Sequence, residues 1–405
     1  MRILISGASI AGPALAYWLT EQGADVTVVE RAPQLRGGGQ AVDFRGPVHM
    51  QVLERMGILP AIRARQTHMQ EIIAIDERGR PLFKLPPVFA SGEVEIQRGD
   101  LSRILYDKSR ERACYRFGDN IVALAQDSQR VLATFASGAT EPFDLVIGAD
   151  GLHSGVRAHA FGPESHYVRF HNYCVAIFEV DNHLGLDHST LMCSSPGRAI
   201  SVASARDPKR AVCLLLFAHD CPDTAREELE HQKALLLRTY EGMGWEWPRL
   251  SRQLESAQDL YFDSISHVAL DRYANGRVAL LGDAAWGGTL GGQGSGLATV
   301  GAYVLAGELA AASGDHTRAF ERYQARMQRY AESCQQGSKR VGSFFAPRSR
   351  FGYHARNAIY AALTSRLLAG AFERLVTQAA SDIELPDYPR PFIPQQVELP
   401  HGVRA

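Results

Sequence analysis

The constraint that bears hardest on the fold lies in the first thirty residues. A short apolar run at 2–6 leads into Gly7-Ala8-Ser9-Ile10-Ala11-Gly12, a helix-compatible stretch follows at 13–22, and 25–30 is apolar and β-branched. That order is a strand, tight turn, helix and strand, and it commits the chain to a parallel sheet with helices packed on it. Pro13 fits the first helical turn, where a missing N–H has no partner to lose, and Gly23 supplies the stop. Gly7 permits the tight bend and Gly12 the close packing of the helix. Ser9 stands where the middle glycine of G-x-G-x-x-G would be and is small enough to leave the approach open. The free N–H groups at the helix start suit a pyrophosphate. Glu30 ends the second strand 23 residues after Gly7, placed to accept both hydroxyls of a ribose, and Arg31 beside it joins the candidate set. The Glu30 charge disfavours a 2′-phosphate at this site. The pattern points to an adenosine dinucleotide and does not separate FAD from NAD; as an isolated feature, such a turn is also a packing solution.

The charge balance narrows the partner. Across 405 residues, 43 Lys plus Arg stand against 44 Asp plus Glu, so no field favours nucleic acid or an anionic membrane, and a small molecule is expected. The six cysteines, Cys114, Cys174, Cys193, Cys213, Cys221 and Cys334, form no C-x-x-C pair, which argues against a zinc knuckle or a redox dithiol. They are expected as buried thiols in a reducing, cytoplasmic compartment. The apolar start carries one basic residue, Arg2, and runs straight into a second strand, unlike a signal peptide. No uninterrupted apolar stretch reaches the roughly 18 residues of a membrane span, so no integral membrane association is expected.

Further along, the pattern changes twice. Strand-like runs without alternating helices occupy 167–180, 190–204, 211–219 and 261–270, predicting a separate, largely antiparallel sheet. The segment 69–86, with its Glu77-Arg78-Gly79-Arg80 turn, reads as a hairpin that joins it. After Gly276 the α/β character returns, and from Arg318 the chain is mostly helical, with Phe320, Tyr323, Met327, Tyr330 and Cys334 on one core-facing stripe. Five prolines in the last segment, from Leu385, predict an extended tail.

Two later motifs carry a resemblance. Asp144-Leu-Val-Ile-Gly-Ala-Asp150-Gly151-Leu-His-Ser154-Gly-Val-Arg157 and Gly276-Arg-Val-Ala-Leu-Leu-Gly282-Asp283-Ala-Ala each read as a buried strand that ends in Gly and Asp, placing a carboxylate at the carboxyl edge of a parallel sheet. Alone, each is also an ordinary strand and turn. Together, and in this order after the glycine turn, they resemble the DG and GD motifs of the p-hydroxybenzoate hydroxylase family of class A FAD-dependent monooxygenases, including its tetracycline-modifying members. By that resemblance Asp283 binds the FAD ribitol, and Asp150 belongs to a segment near the pyrophosphate that is linked to use of the nicotinamide cofactor. Gln97-Arg98-Gly-Asp100-Leu101 resembles the segment whose arginine contacts FAD, with Asp100 able to cap the helix that follows. The backbone at Ile121 and Val122 falls where the family packs the adenine.

Six glycines between Gly287 and Gly296, ahead of a helix-like run at 297–311, can lay backbone against the flavin and aim a helix start at its N1 and C2 edge, where reduced flavin is negative. Gly292, Gly294 and Gly296 are the candidates. The loop departs from the family: Trp286 replaces the usual His or Tyr, the common prolines are absent, one residue is missing, and Gly296 stands at a usual Asn or Ser position. Gly38-Gly39-Gln-Ala-Val42-Asp43-Phe-Arg45-Gly46 resembles the loop that passes the flavin edge, giving Gly39 and Arg45 as further candidates. Trp245-Glu-Trp247-Pro248 lacks the isoleucine-proline pair of the flavin halogenase signature and reads as core tryptophans.

The expected fold is α/β: a discontinuous Rossmann-like FAD-binding domain at 1–68, 98–165 and 271–345, a second, largely antiparallel β-sheet substrate domain at 69–97 and 166–270, and a C-terminal helix and extended tail at 346–405. The resemblance implies non-covalent FAD and transient NADPH or NADH, since no second dinucleotide fingerprint exists. It also implies O₂ as co-substrate and a flavin C4a-hydroperoxide that passes one oxygen to an aromatic or polyketide-like molecule. No His, Asp or Tyr stands out as an acid or base; His171, His219 and His267 lie in predicted strands as structural histidines. A flavin reductase or dehydrogenase, a halogenase and a non-enzymatic flavin module are the alternatives.

Overall fold

The computed structural model describes residues 1–37, 39–85, 92–220, 228–290, 293–364 and 383–388. A six-stranded sheet runs in the order Ala274–Asn275, Val278–Leu280, Leu145–Gly148, Arg2–Ser6, Asp25–Glu30, Cys114–Phe117 and is parallel except at its first pair. Ile3 sits between Leu145 and Val26, and Ile5 between Ile147 and Val28. All are buried, in one core shared with the helices above the sheet and with Val131, Phe135 and Phe143 of a smaller antiparallel sheet. The glycine turn opens the helix Ala11–Glu21, which closes as the sequence predicts: Gly23 takes a φ of +80°, its N–H reaches Thr20, and the Ala24 N–H reaches Leu19.

The second large sheet has seven strands in the order Tyr261–Val268, Val168–Asp181, Arg210–Ala218, Arg198–Ser204, Ser189–Ser195, Glu71–Ile75, Pro81–Leu85. The hairpin near residue 77 joins this sheet, through a parallel pairing of Glu71–Ile75 with Ser189–Ser195. One expectation is corrected. The run 190–204 is two strands rather than one, because Pro196-Gly197 turns the chain, with Gly197 at φ +79°. The sequence pattern also misses a three-stranded antiparallel sheet, Thr140–Phe143, Val131–Phe135 and Ile121–Gln126, and a two-stranded one, Ala41–Phe44 with Val94–Gln97.

One face of the seven-stranded sheet packs under the helices Leu229–Tyr240 and Trp247–Ser256; of the two tryptophans read as core, Trp247 is buried and Trp245 half-buried against the same cluster, and Tyr240 is fully buried beside them. Across the other face, Ala74, Met192, Ser201, Leu214, Ile177 and Tyr261 lie in one cross-strand row. The long helix His316–Phe345 buries Phe320, Tyr323, Met327, Tyr330 and Cys334, the predicted stripe, and Arg350–Leu363 follows it. Of the cysteines, Cys174, Cys193, Cys213 and Cys334 are buried, Cys114 is exposed contrary to expectation, and Cys221 lies outside the described residues. Most of the proline-rich tail also lies outside them. No helix among the described residues is long and apolar enough to cross a membrane.

Close packing at Gly148 yields a test. A Cβ there would meet Val156 and Leu280 side-chain carbons at 2.8 Å. Gly148→Ala is therefore expected to destabilise the protein by about 1–3 kcal/mol, read as a lower urea midpoint; an unchanged midpoint refutes the tight packing of this strand end.

Candidate functional site

Three turns meet at the carboxyl edge of the parallel sheet. Gly7, at φ +107°, lies so close to Ala149 that a Cβ would overlap its carbonyl; one on Gly12 would overlap the carbonyl of Gly7. Gly282, at φ +64°, packs on Ala11, where a Cβ would stand 2.9 Å from the alanine methyl. Backbone bonds lock the edges: Gly7 N donates to Val29 O at 2.8 Å, Ala149 N to Ser6 O at 2.8 Å, and Leu281 N to Gly148 O at 2.8 Å. A cradle of bare backbone results, the shape a pyrophosphate requires.

Charged groups gather around that cradle. The Glu30 carboxylate accepts the Ala8 and Ala32 N–H groups, each at 2.9 Å, which holds it against the glycine turn. Arg31 is exposed beside it. The segment carrying Val122 is brought to the same end by the Gly118 and Asp119 N–H groups, bonded to Ala32 O and Glu30 O, and Val122 itself is exposed. Arg98 begins the helix Arg98–Ser109 and donates through Nη2 to Ser9 Oγ at 3.2 Å, while Ser102 Oγ donates to Ser9 O at 2.9 Å. Gly39 passes over Arg98: a Cβ on it would sit 3.6 Å from the arginine Cβ. Asp100 does not cap this helix. It lies within the first turn and pairs with Arg206 at 3.3 Å.

The two Asp motifs differ in use. Asp150 is enclosed: its carboxylate accepts the Ser154 hydroxyl, Val156 N at 3.1 Å and Ser6 Oγ at 3.4 Å, and burial pushes its pKa up. It holds its own turn to the first strand. Arg157, fully buried, donates to Ala284 O at 2.9 Å and Leu152 O at 2.6 Å, bonding one motif to the other; the sequence shows it only as part of a motif. Asp283 stays accessible in the recess between its own turn and the start of the helix Gly294–Ala311, yet the protein packed around it raises its pKa against the pull of Arg98, with Asp263 adding to the rise. It lies at the start of the helix Gly294–Ala311, where a Cβ on Gly294 would sit 3.4 Å from its Oδ1. That helix has no side-chain cap, leaving first-turn N–H groups free for a ligand, and Gln293 Oε1 is buried with no hydrogen-bond partner among the described residues. Bare backbone, uncapped N–H groups and an orphaned amide oxygen fit a large polar cofactor such as FAD.

The loop's departures are absorbed inside the fold. Trp286 is 2% exposed and points away from the recess, packing on Tyr273, Tyr323 and Gly301. Gly296 is buried against the ring of His49, so its missing side chain serves packing. Gly292 lies outside the described residues. Arg45 is ion-paired to Asp43. Opposite Asp43 stands Glu95, whose carboxyl burial pushes up to about 7 despite a Thr67 hydrogen bond; the sequence reading missed it.

The seven-stranded sheet roofs this region. Gly287 O accepts Val268 N at 2.8 Å and Thr289 N donates to Ser266 O at 2.9 Å, tethering the glycine loop to the strand Tyr261–Val268, while Leu290 packs against the apolar cluster that includes Val175, Leu216 and Ile265. His153 spans the junction, 3.1 Å from Glu164 and 3.3 Å from Asp263, which also accepts the Tyr261 hydroxyl at 3.1 Å. Hydrogen bonds to Asp263 and Glu164 raise its pKa to about 9. His171 and His267 stack with ring nitrogens 2.8 Å apart, and burial lowers both. Among the described residues no cluster of three or more His, Cys, Asp or Glu is placed to hold a metal ion.

A fold of this kind, with a dinucleotide cradle, two Asp turns and a roofing sheet, defines an FAD-binding oxidoreductase. Residues 1–341 match the family model described as FAD binding domain. A flavin-dependent monooxygenase from Legionella longbeachae is 35% identical over 341 residues, covering 83% of this chain and 87% of that protein. Among solved structures, the tetracycline destructase Tet(55) is 37% identical with a TM-score of 0.81, covering 95% of this chain and 98% of its own. Tet(51) is 33% identical with a TM-score of 0.82, covering 96% and 99%. The chain belongs to the class A FAD-dependent monooxygenases, and FAD is its cofactor.

Two tests follow. Asp283→Ala is expected to lower FAD occupancy with little change in fold, read from the ratio of flavin to protein absorbance; full occupancy removes Asp283 from the site. For His153 the folded pKa exceeds the ordinary 6.5, so its contribution to stability is complete below about 6.5 and is lost as pH rises through 9. The melting temperature of the wild type is therefore expected to fall more steeply between these pH values than that of His153→Gln; parallel curves exclude the clamp.

Proposed function

We propose that the chain is an NAD(P)H-consuming monooxygenase that inserts one atom of O₂ into an aromatic or polyketide-like small molecule, with a multi-ring compound of the tetracycline kind as the first candidate. The reading rests chiefly on one observation: the likeness to two tetracycline destructases extends over nearly the whole chain, roofing sheet included. The face of that roof turned away from its own helices agrees, since its row of Ala74, Met192 and Ile177, all buried, and half-buried Leu214 is apolar, as suits a site for a bulky apolar ligand.

Bound FAD supplies hydride acceptance and oxygen activation; the residues bind, orient and exclude water. Glu30 takes the ribose hydroxyls, the turn from Gly7 to Gly12 with Ser9 takes the pyrophosphate, and backbone at Val122 packs the adenine. Asp283 takes the ribitol, Arg98 and Gly39 flank it, and Arg31 and Arg45 add positive charge. The start of Gly294–Ala311 stabilises negative charge at the N1 and C2 edge. The interior position of Trp286 leaves the wall above the flavin to the roof and the glycine loop, which favours oxygen transfer over a plain dehydrogenase. NADPH or NADH acts as a transient reductant.

The experiment follows NAD(P)H consumption with tetracycline and with simpler phenols, then repeats any hit under ¹⁸O₂. Substrate-stimulated oxidation and one ¹⁸O in the product are expected. Turnover to an unlabelled oxidised product refutes oxygen insertion.

A further inference from the structure

His49 is fully buried on the helix Gly46–Arg55, and the sequence gives no sign of it. Its Nδ1 accepts the backbone N–H of Arg45 at 3.0 Å, so the hydrogen of the neutral ring sits on Nε2, which donates to the Tyr330 hydroxyl at 2.7 Å. Burial holds the ring neutral, with a pKa of about 4, against the opposing pull of Asp43. The first bond ties the ring to the residue that caps its own helix, the task a glutamate or glutamine performs in a capping box. The second ties it to the long helix His316–Phe345. A third contact reaches the flavin side: a Cβ on Gly296 would fall inside the imidazole.

Gly296 belongs to the first turn of Gly294–Ala311, which is anchored at its end by buried Leu297 and by Thr299 Oγ1 donating to Gly296 O at 2.8 Å but has little else of its own to hold its start. Gly294 and Gly296 lack side chains, and Gln293, in the left-handed region at φ +52°, makes no cap bond. Its position is therefore set from outside, and His49 is the rigid group seated against it. The electrostatic effect of a helix start fades within one turn, so a small displacement alters what it does to a nearby charge.

We propose that His49 is a positioning residue for the flavin: it fixes the Arg45 loop and the first turn of Gly294–Ala311 relative to each other, and thereby sets the preference of the site for reduced over oxidised FAD. This rests on the reading that the helix start faces the flavin edge.

The test titrates FAD into apoprotein and measures the two-electron midpoint potential of the holoenzyme for wild type, His49→Ala, His49→Gln and Tyr330→Phe. His49→Ala is expected to lose about tenfold more affinity for reduced than for oxidised FAD, a shift of about 30 mV to more negative potential. Glutamine, able to accept from Arg45 and donate to Tyr330, recovers most of that shift; a glutamine variant identical to alanine overturns the hydrogen-bonded arrangement as the cause. An unmoved or more positive potential in His49→Ala, with only a lower unfolding midpoint, means that the ring merely fills space and overturns the proposal. Should His49→Ala not fold, Tyr330→Phe removes only the hydroxyl partner: a smaller negative shift supports the proposal and an unmoved potential overturns it. Failure of the underlying reading is separable. Unchanged FAD occupancy in Asp283→Ala removes the site itself, whereas loss of FAD there with unmoved potentials in the His49 series removes this inference alone.

Discussion

The structure depends on how closely three backbone turns approach one another at the end of one parallel sheet. Gly7 lies on Ala149, Gly12 on Gly7, Gly148 on Val156 and Leu280, and Gly282 on Ala11, each at a separation that leaves no room for a Cβ. Backbone this close brings N–H groups from separate segments to one place, and a phosphate needs that density of donors. The glycines recur at motif spacing because the turns share a single volume. Losing one displaces its neighbour as well as itself.

Side chains then bind these turns into one unit. Arg157 places a fully buried guanidinium between Leu152 O and Ala284 O, with Glu164 3.8 Å away. A buried cation without such partners would be strongly destabilising, so the geometry of both motifs is held together by the need to solvate it. Asp150 does the same for its own turn through Ser6, Ser154 and Val156. Of the two motif aspartates, one is thus committed inside the protein and the other, Asp283, remains open to the recess. Burial pushes both carboxyls up, with Arg157 near Asp150 and Arg98 near Asp283 favouring the charge, while Asp263 on the roof opposes the charge of Asp283 alone.

Much of this was legible from residues alone. The first strand, turn, helix and strand, the Gly23 stop, the helical stripe from Phe320 to Cys334 and the hairpin near Arg78 all have local signatures: a period, a proline, or a glycine at positive φ. The class of protein was legible because Asp150 and Asp283 each close a strand with a recognisable ending. Failures came where local pattern is silent. The run 190–204 looked continuous because both halves are equally β-prone, and only Pro196-Gly197 marks the break. The small sheet from Ile121 to Phe143 is short and half exposed, so its alternation is weak. Asp100 had the right type to cap a helix, but the helix starts two residues earlier.

The loop after Asp283 shows why departures from a family pattern resist reading one position at a time. Trp286 in place of His or Tyr, and Gly296 in place of Asn or Ser, each look like a change to the active-site wall. In the fold each is half of a pair: the indole of Trp286 fills the space left by Gly301, and the imidazole of His49 fills the space left by Gly296. The first pair is close in sequence, yet a tryptophan beside a glycine loop does not announce its direction. The second pair joins opposite ends of the nucleotide-binding unit, and a buried histidine on an unremarkable helix carries no mark of its partner. Volume is conserved across such pairs because a core at crystal-like density tolerates neither overlap nor void. A residue that changes at a motif therefore reports first on what packs behind it, and only through that on the surface it presents to cofactor and substrate.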